Sequence, residues 1–208
     1  MNILLNPAVE AYQYARIDRL SRQLRYPQCQ LPQFIVFSAV SDVPSQFFFP
    51  IARGLNRLFR PGFRTSEQGA LWGTALGELK EQRTHTLRLA ELNADNSLKD
   101  EDYTSKQGRA KIRGWDFTGT TVFNGVELDR TPMSGPGIAN SPVAVVSTDS
   151  SLIDGHNGIF VQKFWDFLLD YANFMEGKRM LWRQQWINDG TGGTQGCSSA
   201  SGTADANY

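Results

Sequence analysis

The sequence predicts an α/β fold built around a parallel β-sheet. Three short apolar runs have the length and the β-branched or aromatic composition of buried strands: Asn2–Leu5, Phe34–Phe37 and Val143–Val146. Segments whose apolar residues recur at helical spacing follow these runs, so that strands alternate with helices along the chain. Strands in this arrangement run parallel and are covered by helices.

The first helix is predicted from about Ala8 to Leu24. Asn6-Pro7 ends the first strand, and proline is favourable near a helix start because its missing N–H has no intrahelical partner there. The residues expected to face the core are Val9, Tyr12, Ala15 or Arg16, Leu20 and Leu24. Most arginines of this helix fall outside that stripe, and we interpret them as a solvated face rather than a phosphate site.

A second helix follows the strand Phe34–Phe37. Phe47-Phe48-Phe49 precedes Pro50, and apolar residues then share one face at helical spacing: Ile51, Leu55, Leu58 and Phe59. Core packing is the favoured interpretation of these aromatic residues, with the lining of a pocket mouth as the alternative. The stretch 65–92 has a moderately helical pattern and contains His85, which fits either a structural position or a place near a site.

The remaining segments complete one domain over residues 1–188. Residues 93–140 are polar and irregular, as in a surface excursion or lid, and contain a short β-like piece that meets the turn signal Asn124-Gly125. The strongest helix spans Ile159 to about Ile187, with Gly177 expected to break or bend it. The residues of this helix expected to face the core are Phe160, Phe164, Phe167, Leu168, Tyr171, Phe174 and Met175. Residues 189–208 are rich in Gly, Ser, Thr and Ala and are expected to be disordered.

Composition and charge exclude several classes of function. The 21 Lys and Arg residues balance the 21 Asp and Glu residues, so no basic surface for nucleic acid or anionic membrane is indicated. No run approaches the roughly 20 apolar residues of a spanning helix, and no signal peptide is recognisable. Cys29 and Cys197 form neither a disulfide framework nor a metal site. No cofactor or metal is expected, and the sequence leaves localisation open.

Two side chains with catalytic chemistry follow neighbouring predicted strands. Asp42 lies just beyond the strand Phe34–Phe37, and His156, one of two histidines, lies between glycines on a loop after Val143–Val146. Adjacent parallel strands bring these ends to the same edge of a sheet, where sites are built. An aspartate there can fix the tautomer of a histidine and stabilise its imidazolium. The alternative is that the loop around His156 consists only of turn-forming residues.

Several blocks of sequence together resemble the C-terminal half of an α/β-hydrolase. More narrowly, they are similar to a group of bacterial and fungal hydrolase-like proteins, over roughly residues 2 to 175. The blocks are Asn6-Pro7-Ala8, the strand that ends at Asp42 followed by Phe49–Arg53, Arg83–Leu87, and Ile153–Phe160. The resemblance implies a partial α/β-hydrolase-like sheet of about three core strands, with Asp42 as the catalytic acid and His156 as the base.

The nucleophile of that family has no counterpart in this sequence. In α/β-hydrolases a serine precedes the acid and the histidine, on a G-x-S-x-G turn, and no such motif occurs in these 208 residues. Serines near the predicted strand ends lack that glycine-flanked setting: Ser38, Ser41, Ser45, Ser147, Ser150 and Ser151. We therefore expect the chain alone not to be an efficient hydrolase, because loss of the nucleophile costs orders of magnitude in rate.

Three functions fit these observations. The first is the C-terminal portion of a serine hydrolase for ester or acyl substrates, with the serine on an upstream part. The second is a non-catalytic binding module that uses Phe47–Phe49 and residues 93–140 as its surface. The third is an independent enzyme with an unfamiliar nucleophile. Absence of the central hydrolase strands would leave one edge of Asn2–Leu5 unpaired, open to an N-terminal complement or to self-association.

Overall fold

The computed structural model describes residues 1–24, 26, 30–57, 65–90, 121–123, 125–130 and 141–188. Within these residues six strands form one sheet in the order β1-β2-β6-β3-β5-β4. The strands are β1 (Asn2–Leu5), β2 (Phe34–Ala39), β3 (His85–Leu89), β4 (Thr121–Phe123), β5 (Val126–Arg130) and β6 (Val143–Thr148). The four strands β1, β2, β6 and β3 run parallel, and β5 and β4 continue the sheet in antiparallel pairing.

The predicted α/β class is confirmed, and the sheet is larger than the three core strands expected. β2 and β6 are direct parallel neighbours, with Ala39 opposite Thr148 at their carboxyl ends. β3 was missed because His85–Leu89 contains only two apolar residues, Leu87 and Leu89, too few for a recognisable strand pattern. In the sheet Leu87 is buried, and Arg88 pairs across the strands with Glu127 at 2.6 Å.

Part of the expected excursion belongs to the sheet. β4 and β5 form a hairpin whose turn contains Gly125 with a φ of 73°, a left-handed conformation that favours glycine. The hairpin adds Phe123, Val126 and Leu128 to the core. Residues 91–120 and 131–140 lie outside the described residues, as do both cysteines and the segment 189–208.

Four α-helices accompany the sheet in the part of the chain that the structure describes. They are α1 (Ala11–Gln23), α2 (Phe49–Arg57), α3 (Ser66–Gly73) and α4 (Gln162–Asn188). A π-helical turn, Pro44–Phe48, links Asp42 to α2, and 3₁₀ turns occupy Lys80–Gln82 and His156–Phe160. The expected break at Gly177 does not occur, because α4 runs through this residue without interruption.

One face of the sheet packs against α4. Alternate residues of β2 and β6 point to this face, among them Ile35, Phe37 and Val146. α4 inserts Phe164 and Phe167 between them, and both rings meet Phe37 edge to face at centroid distances of 5.6 and 5.9 Å. The helical stripe predicted for this segment is thus confirmed for most of its members. Phe160 is an exception and is exposed.

The opposite face of the sheet is covered by α1 and by the segment around Leu76. Its described cluster is small and consists of Tyr14, Val36, Leu76, Val143 and Val145. The stripe predicted for α1 is wrong for Tyr12, Leu20 and Leu24, which are exposed, whereas Val9, just before the helix, packs against this cluster. The core role predicted for the second helix is wrong for four residues that are exposed: Phe47, Phe48, Ile51 and Leu55. Leu58 and Phe59, predicted on the same face, lie outside the described residues.

Candidate functional site

Asp42 and His156 meet at the carboxyl edge of the parallel sheet. Asp42 follows β2 by three residues, and His156 lies in the turn after β6, the strand paired with β2. The Nδ1 atom of His156 lies 3.0 Å from Oδ2 of Asp42. The juxtaposition expected from the sequence is therefore present in the structure. It follows from parallel pairing, which brings two strand ends separated by more than a hundred residues to one edge.

The two side chains differ sharply in exposure. Asp42 is fully buried, whereas the side chain of His156 is 46% exposed. A buried carboxylate requires donors, and Nδ1–H of the imidazole supplies one of them. That bond selects the tautomer in which Nε2 carries the free lone pair. The pair thus combines a buried acceptor with a half-exposed ring whose second nitrogen is able to accept a proton.

Ser45 supplies two further donors to the same carboxylate. Its hydroxyl donates to Oδ2 of Asp42 at 2.8 Å, and its backbone N–H donates to Oδ1 at 3.3 Å. The chain turns back toward Asp42 because Pro44–Phe48 forms a π-helical turn immediately after it. The backbone N–H of Gln46 also donates to the carbonyl of Asp42 at 2.9 Å. The acid is thereby held by both its side chain and its backbone.

The loop that carries His156 is fastened by Ser41. Its hydroxyl accepts a hydrogen bond from the N–H of Gly155 at 2.8 Å and donates to the carbonyl of Ile153 at 3.4 Å. Gly155 has a φ of 69°, a conformation open to glycine and costly for other residues. A Cβ on Gly158 would lie 2.9 Å from Cγ2 of Ile153. This loop accordingly requires glycine on both sides of His156.

Asn6 joins the ends of β1 and β2 to the same loop. Its side-chain oxygen accepts a hydrogen bond from the N–H of Ala39 at 2.8 Å, and its amide nitrogen donates to the carbonyl of His156 at 3.3 Å. The residue is buried and has a φ of 41°, which asparagine tolerates better than most residues. Asn6 therefore links the end of β2 to the loop that carries His156.

Glu78 forms a second polar cluster beside Asp42. It accepts hydrogen bonds from the hydroxyl of Ser38 at 2.9 Å and from the amide of Gln46 at 3.3 Å, and it pairs with Arg83 at 3.5 Å. Burial raises the pKa of Glu78, the charge of Asp42 raises it further, and the contacts with Ser38, Arg83 and Gln46 oppose the rise. The cluster ties the segment after α3 to the end of β2.

His85 occupies a different environment from His156. It opens β3, where it lies opposite Val146, and its side chain is buried. Its Nδ1 atom lies 2.8 Å from the hydroxyl of Thr84, which in turn donates to the carbonyl of Val145. The sequence allowed His85 either a structural position or a place near a site, and in the structure it lies within the sheet.

Three of the serines near the strand ends donate their hydroxyl hydrogens to acceptors other than His156. Ser38 donates to Glu78, Ser41 to the carbonyl of Ile153, and Ser45 to Asp42. None of these three hydroxyls therefore donates to Nε2 of His156, as a nucleophile in a relay would.

The roles of Asn6 and Ser45 were missed in the sequence. Asn6 carried a signal, because asparagine tolerates positive φ better than most residues. Ser45 carried another, since a side-chain acceptor three residues before a serine can receive that residue's backbone N–H, as it does at helix starts. The first signal does not identify the contact of Asn6 with His156, which depends on tertiary pairing, and the second does not show that the serine hydroxyl also reaches Asp42.

Apolar side chains are exposed next to both members of the pair. Phe47 and Phe48 follow Asp42 closely and are 59% and 61% exposed, with their rings edge to face at a centroid distance of 5.6 Å. Phe160 follows His156 by four residues and is 72% exposed. These residues give the surface around the site an apolar character.

No group of three or more His, Cys, Asp or Glu side chains in the described residues is arranged to hold a metal ion. Among the described helices, none combines the length and the apolar character that crossing a membrane requires. No family model matches this chain, and neither a curated protein nor a solved structure matches it.

Proposed function

We propose that this chain carries the general base and the acid of a serine hydrolase that acts on ester or other acyl substrates. The observation that supports this proposal is the 3.0 Å contact between Nδ1 of His156 and Oδ2 of Asp42. It joins a fully buried carboxylate to a half-exposed imidazole. A general base must be reachable by the group from which it takes a proton, and the half-exposed imidazole meets this requirement.

The proposed chemistry uses the two nitrogens of His156 differently. Asp42 accepts the Nδ1–H bond, orients the ring and stabilises the imidazolium ion that forms during the reaction. Nε2 removes the proton from a serine hydroxyl as that hydroxyl attacks the acyl carbon. It then returns the proton to the leaving alcohol or amine, and a water molecule repeats the cycle to release the acid.

The serine in this proposal comes from a polypeptide segment that pairs with β1. β1 is the edge strand of the described sheet, and its outer side has no partner strand there. α1, which follows β1, exposes the apolar residues Tyr12, Ile17, Leu20 and Leu24. A parallel strand added beside β1 would end close to Asn6, which contacts the backbone of His156. An unpaired edge beside an exposed apolar helix face favours such a complement.

The alternative function is a non-catalytic interaction module. The exposed pair Phe47 and Phe48 favours it, because adjacent aromatic side chains in water are typical of contact surfaces. In this alternative, binding of a partner depends on Phe47 and Phe48 and is unchanged in Asp42→Ala or His156→Ala.

Activity-based labelling distinguishes the two functions. The tagged chain would be expressed in its own source cells, treated with a biotinylated fluorophosphonate and isolated under conditions that preserve complexes. We expect a labelled serine on a polypeptide that is isolated together with the chain. Labelling should be lost in His156→Ala and Asp42→Ala and retained in His85→Ala, the matched control at the other histidine.

Two other outcomes have clear meanings. Labelling of a serine within the purified chain itself, dependent on His156, would support the hydrolase and contradict the complement. Absence of any labelled serine with the folded wild-type chain, together with partner binding that both site variants retain, would reject the hydrolase in favour of the interaction module.

A further inference from the structure

Ser45 contacts the carboxylate of Asp42 at 2.8 Å, a shorter distance than the 3.0 Å from His156. It lies in the π-helical turn Pro44–Phe48 and is 4% exposed. π-helical turns are rare and often occur at functional sites. Here the turn places the hydroxyl and the N–H of a single residue toward the carboxylate of Asp42, an arrangement that the serine's position in the sequence alone does not reveal.

The two bonds from Ser45 constrain the carboxylate in two ways. The N–H at 3.3 Å from Oδ1 and the hydroxyl at 2.8 Å from Oδ2 contact both oxygens, so rotation of the carboxylate breaks at least one bond. The hydroxyl shares Oδ2 with Nδ1 of His156. Ser45 therefore holds the oxygen that faces the imidazole in the position from which it accepts the Nδ1–H.

We infer that Ser45 is a positioning residue that fixes His156 in its Nδ1–H tautomer by locking the orientation of Asp42. The catalytic meaning of this tautomer rests on the proposed function, because only a hydrolase needs Nε2 as a base. The tautomer itself is a property of the chain alone. It is measurable whether or not a nucleophile is found.

Other groups near the acid do not provide the same constraint. Glu78 faces Asp42 with a like charge, and Arg83 pairs with Glu78 at 3.5 Å. A charge acting across space sets the energy of the carboxylate but leaves its rotation free. Hydrogen bonds to both oxygens restrict that rotation, since their strength falls steeply with angle. The effect assigned to Ser45 is thus geometric.

The test is nuclear magnetic resonance of the purified chain with ¹⁵N-labelled histidine. The chain has two histidines, so the ring nitrogens of His156 are assigned with a His156→Gln variant, and His85 serves as an internal reference. Spectra at alkaline pH, where imidazole is neutral, report the ratio of the two tautomers. The exchange rate of the Nδ1 proton with solvent reports how firmly Asp42 holds it.

We expect the Nδ1–H tautomer of His156 to predominate over the Nε2–H tautomer in the wild type. In Ser45→Ala this predominance should be lost. The tautomer ratio should fall, and proton exchange should rise, by about tenfold, the effect of one hydrogen bond to a charged group. Ser45→Thr retains the hydroxyl and should restore the wild-type values. Ser21→Ala is the matched control, because Ser21 is also buried and donates to a helix carbonyl, that of Asp18.

The outcomes separate this inference from the proposed function. A wild-type tautomer ratio in folded Ser45→Ala would overturn the positioning role while leaving the acid and base intact. Predominance of the other tautomer in the wild type would overturn both. If Ser45→Ala does not fold, Ser45→Cys, with its weaker donor, replaces it, and an unchanged ratio there counts equally against the inference.

Discussion

The face of the sheet that packs against α4 differs from the face that carries α1. The described cluster on the α4 face contains sixteen buried side chains, with phenylalanine rings in edge-to-face contact, whereas the cluster on the α1 face contains five. Both helices place apolar residues at helical spacing. α4 buries five side chains of its stripe, whereas α1 leaves Ile17 and Leu20 exposed. Amphipathic spacing thus indicates which helix face is suited to burial. That face is buried only where another surface packs against it.

The largest expected effect on the free energy of unfolding comes from replacing leucine by alanine in α4, compared with the same replacement in α1. Leu168→Ala removes a buried side chain of α4 and should lower the free energy of unfolding by about 2–5 kcal/mol. Leu20→Ala removes an exposed side chain of α1 and should change it by less than about 0.5 kcal/mol. Urea denaturation of both variants measures the difference. Equal losses would mean that α1 is buried in solution by a partner or a second copy.

Alanine substitutions at two glycines also compare a closely packed position with an open one. A Cβ on Gly158, before α4, would meet Ile153 at 2.9 Å and its backbone at 3.1 Å, whereas nothing lies within 4 Å of a Cβ on Gly54 in α2. Gly158→Ala should destabilise the fold by about 1–3 kcal/mol through overpacking. Gly54→Ala should stabilise it by up to about 1 kcal/mol through helix propensity. Thermal unfolding measures both, and a loss at Gly54 would contradict the open surface described for α2.

Elements with a strong apolar pattern were predicted from the sequence, and an element with few apolar residues was missed. The strands β2 and β6 were predicted because residues buried on both faces form a continuous apolar run, and β1 has a similar run. The helix α4 was predicted from its apolar stripe. The meeting of Asp42 and His156 was predicted because adjacent parallel strands bring their carboxyl ends to one edge. β3 was missed because it contains only two apolar residues.

The supporting bonds of the site were beyond sequence reasoning for a different reason. Ser45 reaches Asp42 only because a π-helical turn replaces the first turn of an α-helix, and Asn6 reaches His156 across 150 residues of sequence. Such contacts depend on local backbone geometry and on the register of two strands. Neither leaves a periodic pattern in the chain. The exposure of Phe47 and Phe48 contradicts the favoured core interpretation, because periodicity does not show what covers a helix.

Substitutions of two neighbouring valines in β6 compare the two faces of the sheet at one place. Val145 and Val146 are both buried but belong to the α1-side and α4-side clusters, respectively. Val146→Ala should cost about 2 kcal/mol, from the lost apolar burial and the cavity that the surrounding rings cannot close. Val145→Ala should cost less, because the smaller cluster can relax around it. Chemical denaturation ranks the two, and the reverse order would refute the contrast between the faces.

The smallest predicted effect concerns Glu78, the partly buried carboxylate that accepts a hydrogen bond from Ser38. Burial, aided by the charge of Asp42, raises its pKa above the ordinary value of 4.5, so the folded state holds this proton more tightly than the unfolded chain does. Ionisation of Glu78 therefore costs stability. The cost is absent below pH 4.5, grows as pH rises from there to the folded pKa, and is constant above it.

Glu78→Gln removes this titration while retaining an acceptor for the hydroxyl of Ser38. The unfolding free energy of the variant minus that of the wild type should increase as the pH is raised from 4.5 and then level off. Ser38→Ala sharpens the test, because its hydroxyl lowers the pKa of Glu78 and its removal should extend the window to higher pH. Urea denaturation across this range measures both variants. A difference independent of pH would mean that water reaches Glu78, and that the α1 side is open at the site as well as along its helices.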